Sequence, residues 1–91
     1  MQGILRCDEG KIKQTRIEIK ENKRGVEIFI DGNGDPKAFK CLCRGCKHSE
    51  MIIIDNKNEL RGYTVTNRNN LYLQIERSGK VERKKVFRIR D

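Results

Sequence analysis

The chain has few of the residues that build a large hydrophobic core. Its 91 residues include no tryptophan, two tyrosines, three phenylalanines and a single proline, and only 35% of them are apolar against 37% charged. A chain this short forms one core, so we expect residues 1–91 to be a single small domain held together mainly by Ile, Leu and Val. Domains of this size commonly draw extra stability from a metal, disulfides or oligomerisation.

The sequence also lacks a long apolar run. The longest candidate, residues 51–54, is far shorter than the roughly 18 apolar residues of a membrane-spanning helix. The first nine residues contain no basic head followed by an apolar stretch, which is the pattern of a secretory signal. We therefore expect a cytoplasmic protein with no membrane partner.

Alternation of apolar and polar residues is the strongest structural signal in the chain. The alternating apolar sets include Thr15, Ile17 and Ile19, then Val26, Ile28 and Ile30, and later Leu71, Leu73 and Ile75. Turn-forming clusters separate them at intervals of roughly ten residues, and no long segment has helical spacing. The pattern predicts an all-β, mainly antiparallel barrel or sandwich of six or seven short strands. Phe39, Cys41 and Cys43 also alternate, which predicts a further strand.

Two turn regions carry specific expectations. Residues 31–36 resemble the opening of a calcium loop, but Pro36 and Leu42 stand where such a loop needs glycine and glutamate, so we interpret the segment as a turn. At Ser78-Gly79, a loop of three residues would place Leu71 opposite Phe87 on one face. Because the pairing of apolar faces sets register, we expect the longer loop or a bulge there.

The four cysteines favour metal binding, because disulfides rarely persist in the cytoplasm. Cys43 and Cys46 are spaced as a zinc knuckle, with Gly45 in the turn. Residues two apart on an extended strand lie roughly 6.6 Å apart, so four ligands within residues 41–48 would be crowded around one ion. We predict a Zn²⁺ site built on this pair, with the remaining ligands drawn from Cys41, His48 and Cys7.

Other interpretations of the cysteines stay open. Cys41 and Cys43 would pack as small hydrophobic side chains if they lie on a buried strand. Cys43 and Cys46 would form a redox pair if the neighbouring Arg44 and Lys47 lowered their pKa values. His48 is the single histidine, and no nucleophile or orienting group can be assigned to it, so we do not expect an enzyme.

The charge is strongly basic and concentrated at the end of the chain. The net charge is +8, and residues 76–91 hold seven Lys/Arg against three Asp/Glu. Clustered cations contact nucleic-acid phosphates, and exposed aromatic residues stack on bases. The candidate phosphate contacts are Arg77, Lys80, Arg83, Lys84, Lys85, Arg88 and Arg90. Tyr63, Tyr72 and Phe87 are the candidate stacking residues. A charged strand at a sheet edge, which blocks edge-to-edge pairing, is the alternative explanation.

These observations lead to one principal hypothesis and two alternatives. The principal one is a small, zinc-stapled binding or regulatory module that contacts nucleic acid through a basic C-terminal strand. The first alternative is a protein-interaction module, such as a small inhibitor, adaptor or subunit, without a nucleic-acid role. The second is a thiol redox protein that uses Cys43 and Cys46.

Overall fold

Seven strands and one short helix make up the protein. The computed structural model describes residues 1–7, 12–44 and 49–90. In chain order the elements are β1 (Gln2–Cys7), β2 (Thr15–Asn22), β3 (Gly25–Ile30), α1 (Ala38–Arg44), β4 (Ser49–Asp55), β5 (Asn58–Asn67), β6 (Asn70–Arg77) and β7 (Lys80–Arg90). The strands close into a barrel, so the predicted all-β, mainly antiparallel fold is confirmed. Within the described ranges, no helix is long and apolar enough to cross a bilayer.

Two meanders form the barrel. One contains β1, β2 and β3, and the other contains β4, β5, β6 and β7, each with antiparallel neighbours. The meanders join along two seams, an antiparallel one between β1 and β4 and a parallel one between β3 and β7. Every strand is therefore paired on both sides, and none of the seven is left at a sheet edge.

The hairpin between β6 and β7 has a shorter loop than the sequence predicts. Ser78 and Gly79 form a two-residue turn with φ angles of 51° and 77°, so Ile75 lies opposite Glu82. Positive φ at both central residues is the type I′ geometry, which matches the twist of the flanking strands. The expectation of a longer loop or a bulge at this turn was wrong because Glu82 is exposed, so its position opposite Ile75 buries no charge.

A register shift farther along β7 restores its apolar face. The shift lies where β3 passes from Val26 to Glu27. Before it, Val86 pairs with Val26, and after it Ile89 pairs with Ile28. Apolar residues on β7 thus reach the interior on both sides of the irregularity, which explains why the turn itself needs no extra residue.

Aliphatic side chains fill the barrel. The largest fully buried ones are Leu5, Ile19, Ile28, Leu42, Met51, Ile53, Leu73 and Ile75. Gly62 also faces inward, and a methyl group there would approach the Cδ1 atom of Ile53 to 2.8 Å. Burial of this apolar area is the main stabilising contribution, as expected for a chain with few aromatic residues.

The two ends of the barrel differ. At one end, which we call the open end, the ion pairs Arg77–Asp55 (2.9 Å) and Lys84–Glu21 each reach past one intervening strand, from β6 to β4 and from β7 to β2. At the other end, α1 covers the opening, and the hydroxyl of Thr64 donates a hydrogen bond to the carbonyl oxygen of Leu42 at 3.0 Å. The helix therefore acts as a lid over the apolar interior.

The helix replaces the strand predicted around Phe39, Cys41 and Cys43, and that prediction was wrong. The preceding Asp35-Pro36 pair is the reason. The Asp35 carboxylate accepts backbone N–H bonds from Lys37 and Lys13, both at 2.9 Å. Aspartate in this capping position followed by proline is a typical helix start. The break predicted at residues 31–36 is confirmed as a turn, since the N–H of Gly34 bonds the Asp31 carbonyl at 2.9 Å.

Candidate nucleic-acid interface

The predicted metal ligands fall on different sides of the helix-capped end. Cys7 ends β1 and is buried, and Cys41 is buried on the inner side of α1. Cys43, two residues farther along the helix, is exposed. Cys46 and His48 lie outside the described residues. Among the residues that the structure does describe, no three His, Cys, Asp or Glu side chains are grouped as a metal would require.

The pKa of the Cys43 thiol is relevant to the alternative that the protein is a thiol redox protein. Partial burial raises the pKa of this thiol above its ordinary value. A higher pKa reduces the thiolate fraction at neutral pH, and the thiolate is the nucleophilic form. The local environment of Cys43 thus disfavours a reactive thiol.

Four of the seven candidate cations share the outer face of β7. Leu73 and Ile75 point into the barrel, so the alternating residues Tyr72 and Gln74 point outward, together with their partners Lys85 and Arg83. Past the register shift, outward-facing Glu27 and Phe29 of β3 lie opposite two further arginines, Arg88 and Arg90. We call this row of four residues the β7 stripe: Arg83, Lys85, Arg88 and Arg90.

The other three candidate cations lie elsewhere. Arg77 and Lys84 belong to the open end of the barrel, where Arg77 bonds Asp55 and Lys84 bonds Glu21. Lys80 is exposed at the start of β7, next to the Ser78-Gly79 turn. The structure therefore brings four of the seven predicted residues together and separates three from them.

One acidic side chain opposes the β7 stripe. The carboxylate of Glu27 lies 3.6 Å from the Arg88 guanidinium and 3.5 Å from that of Arg90. Arg83 and Lys85 form no ion pair within 4.0 Å in the described part of the chain. A single carboxylate shared between two arginines leaves the stripe with an excess of positive charge.

Hydrogen bonds fix the Arg83 side chain against its neighbours. The amide of Gln74 donates to the Tyr63 hydroxyl at 2.6 Å, and its carbonyl oxygen accepts from the Arg83 guanidinium at 2.9 Å. That guanidinium also lies 5.7 Å from the centre of the Tyr72 ring, within the range of a cation–π contact. The network holds a planar cation beside two tyrosines on a continuous sheet surface.

Sequence reasoning named Tyr63 and Tyr72 but missed Gln74. The signal was available, because the period of two in β6 puts Tyr72 and Gln74 on one face. Nothing in the local sequence indicates which residues of β5 and β7 lie opposite them. Phe87, the third aromatic candidate, is half-buried at the register shift of β7.

Comparisons with known proteins return nothing for this chain: no family model, no curated protein and no solved structure matches it.

Proposed function

We propose that the protein binds nucleic acid through the outer face of β7. The observation that carries the proposal is the β7 stripe, four cations in a row on the solvent side of one strand. Rows of Lys and Arg neutralise successive phosphates, and the release of condensed counterions supplies affinity without regard to base sequence. The overall charge of +8 adds a favourable long-range field.

The main competing explanation for these charges was protection of a sheet edge. That explanation requires β7 to have an unpaired side, because charged side chains on an edge strand deter pairing with other chains. In the barrel, β7 pairs with β6 on one side and with β3 on the other. The folded protein therefore has no edge at β7 to protect, and the concentration of cations on its outer face calls for a different reason.

Aromatic residues beside the stripe suit a single-stranded ligand. Tyr72 lies opposite Lys85, and Tyr63 lies one strand farther away on the same face. Single strands expose the faces of their bases, which stack on aromatic rings and on arginine planes next to a phosphate-binding groove. We infer that phosphates follow the stripe while bases turn toward the tyrosines of β5 and β6.

Salt dependence of binding tests the proposal. Fluorescence anisotropy of a labelled, mixed-sequence oligonucleotide pool should show binding that weakens as salt rises, with a log–log slope of about −2.8 for four phosphate contacts on a single strand. Replacing Lys85 with glutamine should weaken binding and bring the slope about 0.7 closer to zero. Lys57→Gln, in the turn between β4 and β5, makes the same charge change far from the stripe and should alter neither.

Two results would reject this function. One is the absence of binding at low salt. The other is an equal loss of affinity in Lys85→Gln and Lys57→Gln. That result would indicate that the oligonucleotide is attracted by the net charge of the protein and binds no particular face of the barrel. Either result would favour the first alternative, a protein-interaction module.

The zinc site remains a separate proposal. Its support is positional: Cys7 and Cys41 lie at the helix-capped end, and Cys7 pairs with Ser49, the first residue of β4. A metal bound there would tie the end of β1 to the connection that follows α1. The proposed metal ligands and the β7 stripe are different residues, so zinc binding and nucleic-acid binding can be tested independently.

A further inference from the structure

The outer face of β4, β1, β2 and β3 carries a group of apolar side chains, which is unusual on a solvent-exposed surface. Ile4 and Ile54 are 38% and 45% exposed, and Ile52 and Phe29 are half-buried beside them. These four residues, which we call the isoleucine strip, border a shallow surface groove of about 510 Å³. The strip is centred on β1, which lies across the barrel from β6 and β7.

Strand β4 explains how the strip arises. Residues 51–54 are apolar at every position, whereas a strand with one solvated face alternates. Met51 and Ile53 point into the barrel and are fully buried. Ile52 and Ile54 therefore point outward, and Ile54 is 45% exposed. Adjacent apolar residues on a small polar surface mark a site of association.

Three charged residues of β2 border the strip. Arg16 and Glu18 point outward beside Ile4 and Phe29, their neighbours across the sheet. The ammonium group of Lys20 lies 5.0 Å from the centre of the Phe29 ring. Arg16 and Glu18 form no ion pair within 4.0 Å in the described ranges of the chain. By contrast, outward-facing Arg6 of β1 bonds Glu50 at 3.3 Å. Arg16 and Glu18 are thus a cation and an anion without ion-pair partners, close together on one strand.

We propose that the isoleucine strip binds a second copy of this chain in a two-fold symmetric dimer. A two-fold axis through the strip makes each surface its own complement, so Arg16 of one copy meets Glu18 of the other, and the reverse. The apolar side chains of both copies then cover one another at the centre. This pairing gives each charge a partner of opposite sign that its own chain does not provide.

The dimensions predict a dimer of moderate strength. Three spacings of about 4.8 Å separate the four strands, so the surface extends about 14 Å around the curved sheet. The molecule itself measures 32 × 28 × 21 Å, so such a face is at the small end of the range for specific complexes. We expect dissociation in the micromolar range, with monomer and dimer both populated at accessible concentrations.

Sedimentation equilibrium between about 5 µM and 500 µM tests the proposal directly. The unmodified protein should shift from monomer to dimer across this range. Ile54→Glu should weaken the dimer at least tenfold, because two buried carboxylates would face an apolar surface. Val81→Glu is the matched control: Val81 is 58% exposed on β7, outside the strip, and its replacement should leave the equilibrium unchanged.

A charge reversal tests the two-fold arrangement. Arg16→Glu alone should weaken the dimer about tenfold, since symmetry applies the like-charge contact twice. Combining it with Glu18→Arg should restore the original affinity. Failure of the double variant to recover would overturn the two-fold pairing.

A protein that stays monomeric at 500 µM, or a dimer that Ile54→Glu does not weaken, would overturn the proposal as a whole. If the protein stayed monomeric, a protein of different sequence would become the expected partner of the strip. The dimer does not rest on the proposed nucleic-acid function, because it is argued from the strip and from Arg16 and Glu18 alone. The strip and the β7 stripe meet at one point, where Phe29 lies opposite Arg90. The double variant Arg16→Glu, Glu18→Arg keeps the net charge and should bind a short oligonucleotide as the unmodified protein does.

Discussion

The parallel seam between β3 and β7 can be tested by one added methyl group at Gly25. Gly25 has φ = +127°, a conformation outside the ranges of residues with a side chain. A Cβ atom there would overlap the carbonyl oxygen of Lys85 and lie 3.1 Å from its carbonyl carbon. Since the overlapping atoms are backbone, relief requires movement of the strands, next to the pairing of Val26 with Val86.

Two costs add in Gly25→Ala. Backbone strain in this region contributes about 1–3 kcal/mol, and the steric overlap contributes about 1–3 kcal/mol. We expect a loss of about 4 kcal/mol in the free energy of unfolding, measured by urea denaturation followed by circular dichroism. For a domain whose total stability is about 5–15 kcal/mol, this loss would be severe.

Two glycines in open positions provide controls. Gly79 has φ = +77°, but a methyl group added there would meet no heavy atom within 4 Å, so Gly79→Ala should cost only the strain, about 1–2 kcal/mol. Gly32 has neither strain nor a close neighbour, and Gly32→Ala should be neutral or slightly stabilising. If Gly25→Ala proved no worse than Gly79→Ala, the two strands would not approach as described, and the closed barrel would be refuted.

Two further predictions concern the helix-capped end. Native mass spectrometry of the untagged protein should show the added mass of one zinc ion, and Cys7→Ser should lose it; folded protein without metal would contradict the site and leave the cysteines as packing residues. The second concerns Asp35, whose pKa is held below the ordinary 3.8 first by the N–H of Lys37 and then by that of Lys13. A depressed pKa stabilises the fold above the unfolded value near 3.8, and that stabilisation is lost as the pH falls through the lower folded value. Thermal melts should thus show Asp35→Asn less stable than the parent at about pH 6, with the difference shrinking as the pH falls below about 3.8; a constant difference would show that the charge contributes nothing.

Alternation predicted most of the barrel because each strand has one face in contact with the core. Ile17 and Ile19 on β2, and Val26 and Ile28 on β3, are buried where the period of two puts them. The alternation does not predict that the sheet closes into a barrel. Closure depends on pairing between strands far apart in the chain, and such pairing leaves no local signature in sequence.

The strand predicted around Phe39, Cys41 and Cys43 was wrong for a different physical reason. Spacing of two between Phe39, Cys41 and Cys43 fits a strand, but a seven-residue helix needs only a short apolar face. Its start signal, Asp35-Pro36, was interpreted solely as a break. Proline is both a breaker and a good first helical residue, and only the capping aspartate before it separates the two roles.

The candidate interface was predictable in composition but not in arrangement. The excess of Lys and Arg in the last sixteen residues is visible in the sequence. Strict alternation along β7 would put Lys85 on one face of the strand and Arg88 on the other. The register shift opposite Val26 and Glu27 brings both to the outer face. Irregularities of this kind arise from the fit of two paired strands, and neither strand alone specifies them.

The two seams also determine how the chain must fold. Each meander forms from strands that are neighbours in the chain. The barrel closes only when β1 pairs with β4 and β3 pairs with β7. Small barrels with such distant pairings fold in milliseconds to seconds, slowly for their size. Until the seams close, β4 exposes an apolar segment on both faces and an unpaired edge, which is the combination that promotes aggregation. The rate of seam closure, more than the final stability, would then set how much protein a cell can accumulate in the folded form.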